Sequence, residues 1–268
     1  VWLAGGQLGL LLIVGPVLLW IGGLGTWSEW RLAPSYWVYA LPTFICTAVG
    51  HVFFLKSLRV SDLGLTIPYL SFSPIFVMVC AALFLHEYPT FLALVGVCVV
   101  ALGAFVLNQP ILSSDAGRRS NVGARKGALF MIITALCWSA AAAFDKGALR
   151  HSSALTHLVF LLLSTVLILE IFRRLGSTGS QQSRSKVEWV PLVWVCCIMT
   201  VALGLQLTAY TYWDVAYVEA VKRAIGLVGS VLVGTLIFQE KGIRRRLLAV
   251  VVMALGTGLI LLFESSLP

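Results

Sequence analysis

The tetrapeptide FLHE at residues 84–87 ends one long apolar run, and the tetrapeptide IFQE at residues 237–240 ends another. The two lie 153 positions apart, and at the same offset the tripeptide ALG that starts at Ala101 recurs without a gap. Residues 36–108 therefore recur as residues 189–261, and both copies consist of hydrophobic runs. An internal repeat of membrane helices is the usual construction of a secondary transporter, whose substrate site lies near mid-membrane where the repeats meet.

The composition indicates a membrane protein, because 59% of the 268 residues are hydrophobic and only 11% are charged. A soluble domain has about 25% charged residues. Runs of about 20 apolar residues, each long enough to cross a bilayer as a helix, lie at 7–24, 37–55, 64–85, 91–108, 127–148, 154–172, 190–211, 216–238 and 246–263. The runs are continuously apolar rather than alternating, which disfavours strands. The predicted fold is an all-α integral membrane protein, a polytopic bundle of nine transmembrane helices.

The predicted helices divide into two repeats. Residues 1–108 are predicted to form the first repeat, 109–126 a polar linker, and 127–264 the second repeat. The helix 127–148 has no counterpart ahead of 7–24, so we expect ten helices in the intact protein, with the first one missing here. An odd number of helices separates equivalent segments, which predicts repeats of inverted topology. Such repeats permit alternating access, because each half can adopt the other's conformation.

The basic residues lie mainly on one side of the predicted bundle. If the segments cross in turn, loops on one side carry 14 Lys and Arg and loops on the other carry three. The positive-inside rule makes the first side cytoplasmic. This bias accounts for the net charge of +8 without a nucleic-acid partner. The expected partners are membrane lipid and a small-molecule metabolite, and a homodimer is left open.

The cysteines lie inside the predicted helices, at Cys46, Cys80, Cys98, Cys137, Cys196 and Cys197. Their spacing fits neither a zinc site nor a disulfide framework. They are therefore predicted to be small core residues, and we predict neither a metal site nor a cofactor.

The segment IPYLSFSP at residues 67–74, the turn at Leu85-His86-Glu87 and the segment AVKR at 220–223 resemble the drug/metabolite transporter superfamily in its EamA-type branch. The resemblance implies a ten-helix carrier of metabolites such as amino acids, sugars, nucleotide sugars or phosphorylated sugars. In triose-phosphate relatives a Lys-Arg pair of the corresponding late helix holds phosphate, and this chain has Lys and Arg there. Relatives usually have both ends in the cytosol, whereas the charge count puts Pro268 on the opposite side, so the orientation stays open.

Lys222 and Arg223, the basic pair, lie about 10 Å inside the predicted helix 216–238 at 1.5 Å per residue. Charged side chains deep in a membrane usually face a cavity and mark a substrate pathway. The Arg fork suits carboxylate or phosphate and Lys acts as a mobile point charge, so the basic pair predicts an anionic or zwitterionic substrate. The alternatives are an ion pair with Glu219, three and four residues away, and snorkelling to the interface.

The repeat gives the basic pair a partner region in the first half. At the offset of 153, Tyr69 falls on Lys222 and Ser73 falls on Gly226. Pro68 and Pro74 remove backbone donors and kink the helix, which frees carbonyl groups for a substrate or ion. Ordinary kinking for packing is the alternative. We place Tyr69 and Ser73 in the predicted substrate site.

Further polar side chains of the predicted helices complete the candidate site. Asp145 and Lys146 end their helix on the same side as the basic pair, and Asp145 either pairs with it during transport or forms an interfacial ion pair. His51 can titrate near neutral pH. Gln206 and Tyr210, one turn apart, are candidates for neutral hydrogen bonding in the cavity.

These observations predict a secondary transporter of a small polar metabolite in a bacterial inner or plasma membrane, with an organellar membrane as the alternative location. A membrane-embedded enzyme acting on a lipid would need a nucleophile–base pair or a metal cluster. The histidines are scattered, at His51, His86, His151 and His157. We therefore predict that the protein is not an enzyme, and a non-transporting sensor or scaffold is the third hypothesis.

Overall fold

A computed structural model describes residues 33–61, 66–88, 90–108, 121–176, 189–236, 251–252 and 255–256. Over these residues the chain is helical. The elements are α1 (Pro34–Val60), a 3-10 helix (Ile67–Phe72), α2 (Ser73–Leu85), α3 (Phe91–Asn108), α4 (Asn121–Leu149), α5 (Ala154–Gly176), α6 (Trp189–Tyr212) and α7 (Val215–Leu236). The predicted helix 7–24 and most of 246–263 lie outside the described residues.

Four helices of the described residues are long and apolar enough to cross a membrane. They span Pro34–Val60, Arg125–Leu149, Ala154–Phe172 and Val193–Tyr212. Large apolar side chains are exposed on the last of them, where Trp194 and Leu205 are each 67% exposed. Contact with lipid would cover such side chains. The all-α membrane fold is confirmed, whereas the number of nine spans stays a prediction.

Two helix boundaries differ from the prediction. The predicted helix 64–85 is a 3-10 helix followed by α2, because proline at the first turn of each segment lacks the donor that a continuous α-helix needs. Helix α4 begins at Asn121, inside the predicted polar linker. Water solvates polar side chains where a helix leaves the membrane, so the helix continues beyond its apolar run.

The chain forms two compact units. The first comprises residues 1–48 and 144–212, and the second comprises 49–143 and 213–268. Each unit therefore combines residues from both predicted repeats, and its borders fall within α1 and α4. The repeats themselves stay a prediction.

The first unit has its core where α1, α4 and α5 meet. Tyr36, Ala40 and Phe44 of α1 pack against Ala148 and Leu161, and α5 packs along α6. Small residues at such contacts let helices approach closely.

The second unit joins α1 to α4 through small residues and hydroxyl groups. Ser57 Oγ donates a hydrogen bond to the Gly127 carbonyl oxygen at 2.8 Å, and Thr134 Oγ1 donates to that of Gly50 at 3.3 Å. In the same unit α2 packs against α3 and α7, and α3 also packs against the 3-10 helix and α7. The 3-10 helix, α2 and α7 thus lie next to one another, and they carry the basic pair and its predicted partners.

Candidate functional site

The guanidinium of Arg223 reaches from α7 to the junction of the 3-10 helix and α2. Its Nη2 donates to the Leu70 carbonyl oxygen at 3.0 Å and to the Ser73 hydroxyl at 2.7 Å. The Leu70 carbonyl also accepts the Ser73 backbone N–H. The structure therefore brings together two residues of the predicted site, Arg223 and Ser73, at the proline-broken helix.

Arg223 forms its hydrogen bonds with neutral groups, and the Glu219 carboxylate of the same helix attracts it electrostatically. Both oxygens that it contacts are neutral, and its Nε is buried without a hydrogen-bond partner in the described structure. The two neutral oxygens offer Arg223 hydrogen bonds without an opposite charge. An anion at this position would add the Coulomb attraction between opposite charges.

The other member of the basic pair has a different partner. Lys222 Nζ forms an ion pair with Glu219 on the same helix, the alternative that the spacing of three residues suggested. The Glu219 side chain is 8% exposed and the Lys222 side chain 46% exposed. The three charged side chains of α7 sum to +1, so the ion pair does not cancel the charge of Arg223.

The Arg223–Leu70 contact joins equivalent positions of the two predicted repeats. The two residues are 153 positions apart, which is the offset that aligns the repeats. In inverted repeats related by a two-fold axis in the membrane plane, a residue that touches its own equivalent lies beside that axis. Transporters of this construction bind their substrates there.

Two more side chains lie at the 3-10 helix and α2. Tyr69 is half-buried, and its ring centroid lies 6.3 Å from that of Phe105 on α3. Ser139 Oγ of α4 donates to the Ser73 carbonyl oxygen at 3.1 Å. Sequence reasoning missed Ser139, and the signal that could have found it is its hydroxyl in the apolar run of α4, where Thr134 carries the other one.

Asp145 binds a histidine rather than forming the interfacial ion pair considered for it. Its Oδ1 lies 2.9 Å from His157 Nε2, and Tyr36 Oη lies 3.0 Å from His157 Nδ1. Sequence reasoning missed Tyr36 and His157, since the histidines were judged to be scattered. The short connection between α4 and α5 is the signal that could have placed residues 145 and 157 together. Lys146, next in the chain, is half-buried.

The remaining predicted residues have local partners. Gln206 Nε2 donates to Tyr210 Oη at 2.6 Å, and Tyr210 is fully buried. The His51 ring lies edge-on to Trp138, with centroids 5.3 Å apart. The basic pair, Glu219, Tyr69, Ser73 and His51 belong to the second unit. Asp145, Lys146, Gln206 and Tyr210 belong to the first.

Metal-binding side chains are dispersed in the described part of the chain. No group of three or more His, Cys, Asp or Glu there could hold a metal ion. The cysteines are free thiols, buried at Cys196 and half-buried at the other five positions.

The sequence profile of the EamA-like transporter family matches residues 1–109 and 125–262. This chain belongs to the EamA-like transporter family. It is therefore an integral membrane protein, and the resemblance inferred from its repeats and its basic pair is confirmed.

Comparisons with individual proteins agree with the family. An uncharacterized transporter of Archaeoglobus fulgidus is 35% identical to this EamA-like transporter over 95 residues. These residues are 35% of this chain and 33% of that relative, so the match spans about one third of the relative's length. A crystal structure of a protein with 16% identity matches 99% of this chain and 89% of its own, with a TM-score of 0.76. At that identity the likeness shows the fold.

Proposed function

We propose that this EamA-like transporter is a secondary carrier of a small anionic or zwitterionic metabolite, with Arg223 as its principal anion-binding group. The observation that carries the proposal is the position of the Arg223 guanidinium. It lies on neutral oxygens at a broken helix and in contact with its own repeat equivalent. The break lies at the 3-10 helix and α2, whereas α7 is continuous over Val215–Leu236. Non-helical backbone at membrane depth occurs where it is buried in protein or lines a water-filled cavity.

The electrostatics favour an anion over a cation. A charge at membrane depth costs about 3 kcal/mol on insertion scales, and the charged groups of α7 sum to +1. A carboxylate or phosphate would neutralise this charge and accept two parallel hydrogen bonds from the guanidinium fork.

Neighbouring side chains would then complete the binding site. Ser73 offers a hydroxyl that can donate to the substrate once Arg223 turns to the anion, and Tyr69 offers a phenol. Lys222 is exposed enough to leave its ion pair with Glu219 and bind the substrate instead. His51, Asp145, Lys146, Gln206 and Tyr210 remain candidates for contacts in other stages of transport.

Alternating access gives the site its transport role. Arg223 connects α7 to the start of α2, so an anion that takes Arg223 away from Leu70 and Ser73 would weaken this connection. A ligand that binds two states with unequal affinity shifts their populations by the difference in binding free energy.

We expect the carrier in a bacterial inner or plasma membrane.

The first test is thermal unfolding of the purified protein with inorganic phosphate, glucose 6-phosphate, citrate, glutamate, glucose and tetraphenylphosphonium. We expect anions to stabilise the protein by about 2.7 kcal/mol at a hundredfold excess over the dissociation constant. Stabilisation by glucose or by the cation alone would contradict the proposal. Uptake of the stabilising anion into protein-containing liposomes separates a carrier from a sensor or an enzyme.

Glu219→Gln should tighten anion binding. The substitution raises the summed charge of α7 from +1 to +2. A charge about 10 Å away contributes about 1.7 kcal/mol at an effective dielectric constant of about 20, which is more than tenfold in affinity. The measurement is the phosphate concentration that gives half-maximal stabilisation.

Glu170→Gln is the matched control for that substitution. Glu170 forms an ion pair with Arg174 at 2.9 Å on α5, also within one helix, but it is not among the residues at Arg223. Its removal should leave phosphate affinity unchanged. Weaker phosphate binding in Glu219→Gln would show that the carboxylate takes part in binding rather than opposing it.

A further inference from the structure

Three polar side chains form a chain of hydrogen bonds in the core of the first unit. Tyr36 of α1 contacts His157 Nδ1 at 3.0 Å, and His157 Nε2 contacts Asp145 of α4 at 2.9 Å. We call these three residues the relay. Each lies on a different helix: Tyr36 on α1, Asp145 on α4 and His157 on α5.

The relay is enclosed by apolar side chains. Tyr36 and His157 are fully buried and Asp145 is 5% exposed. The Phe44 ring stacks on the imidazole, with centroids 6.2 Å apart. An ionisable group within a membrane protein is costly to bury and marks an ion or proton pathway by default.

The relay keeps its hydrogen bonds in two protonation states. With neutral His157, Nε2–H donates to the Asp145 carboxylate and Nδ1 accepts the Tyr36 hydroxyl, and the net charge is −1. After uptake of a proton, both ring nitrogens donate, to the carboxylate and to the Tyr36 oxygen, and the net charge is zero.

Other ionisable side chains lie on the helices around His157. From α1 the Tyr36 phenol faces it, and from α4 the Asp145 carboxylate does. Lys146 and Arg150 follow Asp145 on α4. Lys146 is half-buried and Arg150 is exposed. Helix α6, which packs against α5, carries Tyr210, bound by Gln206.

We propose that the relay binds and releases the proton that drives transport in this carrier. The inference rests on the proposed carrier function. Proton uptake forms an N–H bond at His157, with the proton taken from water on one side of the membrane and returned to water on the other.

Coupling follows from the three helices that hold the relay. Any movement between α1, α4 and α5 lengthens at least one of its hydrogen bonds, so the charged and the neutral relay favour different helix positions. Proton and substrate then influence one another by favouring the same or opposite states of the carrier, without direct contact.

The transport test uses liposomes that contain the full chain, with radiolabelled phosphate as the probe. Two rates are measured: phosphate–phosphate exchange at equal pH, which needs only the anion site, and phosphate accumulation driven by a pH gradient. We expect His157→Gln to keep exchange and to lose gradient-driven accumulation by at least about tenfold, within the usual range of coupling. His151→Gln is the matched control, because His151 is an exposed histidine of the same unit. Full gradient-driven accumulation in His157→Gln would overturn the proposal.

A second measurement is independent of any substrate. Nitrogen-15 NMR of labelled histidine in bilayers follows the His157 resonance, which is assigned by its loss in His157→Gln. We expect the ring to take up a proton when the medium is acidified. In Asp145→Asn it should remain neutral, because the imidazolium loses its carboxylate. A ring that never titrates would overturn the proton-binding relay even if phosphate is transported. A titrating ring in a protein that moves no anion would refute the anion carrier and still support proton binding by the relay.

Discussion

Arg223→Met should abolish anion binding and leave the protein at least as stable as the wild type. The variant loses the hydrogen bonds from the guanidinium to the anion. This weakens the free energy of anion binding by about 2–4 kcal/mol, roughly a hundredfold in affinity. The free energy of unfolding changes little, because the Leu70 carbonyl still accepts the Ser73 N–H and Glu219 keeps its ion pair with Lys222. Replacing a buried charge by an apolar side chain of similar size is often neutral or stabilising.

Two measurements on the same preparation check this prediction: the unfolding midpoint without ligand, and its increase with phosphate. Arg174→Met is the matched control, since Arg174 lies on α5 in an exposed ion pair with Glu170, and it should leave the phosphate effect intact. A structural arginine would behave differently. If Arg223→Met lost about 3 kcal/mol or more of folding free energy, or bound phosphate like the wild type, Arg223 would not be the anion-binding group.

Gly50→Leu should destabilise the second unit by about 3 kcal/mol or more, beyond the usual cost of one overpacked methylene group. A Cβ at Gly50 would lie 2.5 Å from the Trp138 ring, so the ring or the helix has to move. The Trp138 ring also packs against His51 and Phe54. Its displacement would therefore disturb α1 and α4 where Thr134 bonds the Gly50 carbonyl.

Gly229→Leu is the control for that substitution. A Cβ at Gly229 meets nothing within 4 Å, and leucine favours a helix over glycine by about 0.8–1 kcal/mol. The control should therefore be as stable as the wild type or more stable. The measurement is the free energy of unfolding of each purified variant in the same detergent. Equal stability of the two variants would show that Trp138 moves aside without cost.

Much of the fold and part of the candidate site could be predicted from the sequence. Continuous apolar runs fixed the helical membrane fold, because lipid offers no partners to backbone N–H and C=O groups. Pro68 and Pro74 predicted a kink in the run 64–85, since a proline lacks the donor that an α-helix needs, and the structure has a 3-10 helix followed by α2 there. The offset of 153 aligned Tyr69 with Lys222 and Ser73 with Gly226.

The partners of the charged groups were decided by the tertiary structure. The sequence left Asp145 between two kinds of ion pair, and in the structure it binds His157. It also left both basic residues equal candidates for Glu219, whereas Lys222 takes that carboxylate and Arg223 crosses to Ser73. The physical reason is that helix periodicity determines which face a residue occupies, and only the packing of helices far apart in sequence determines what it meets there.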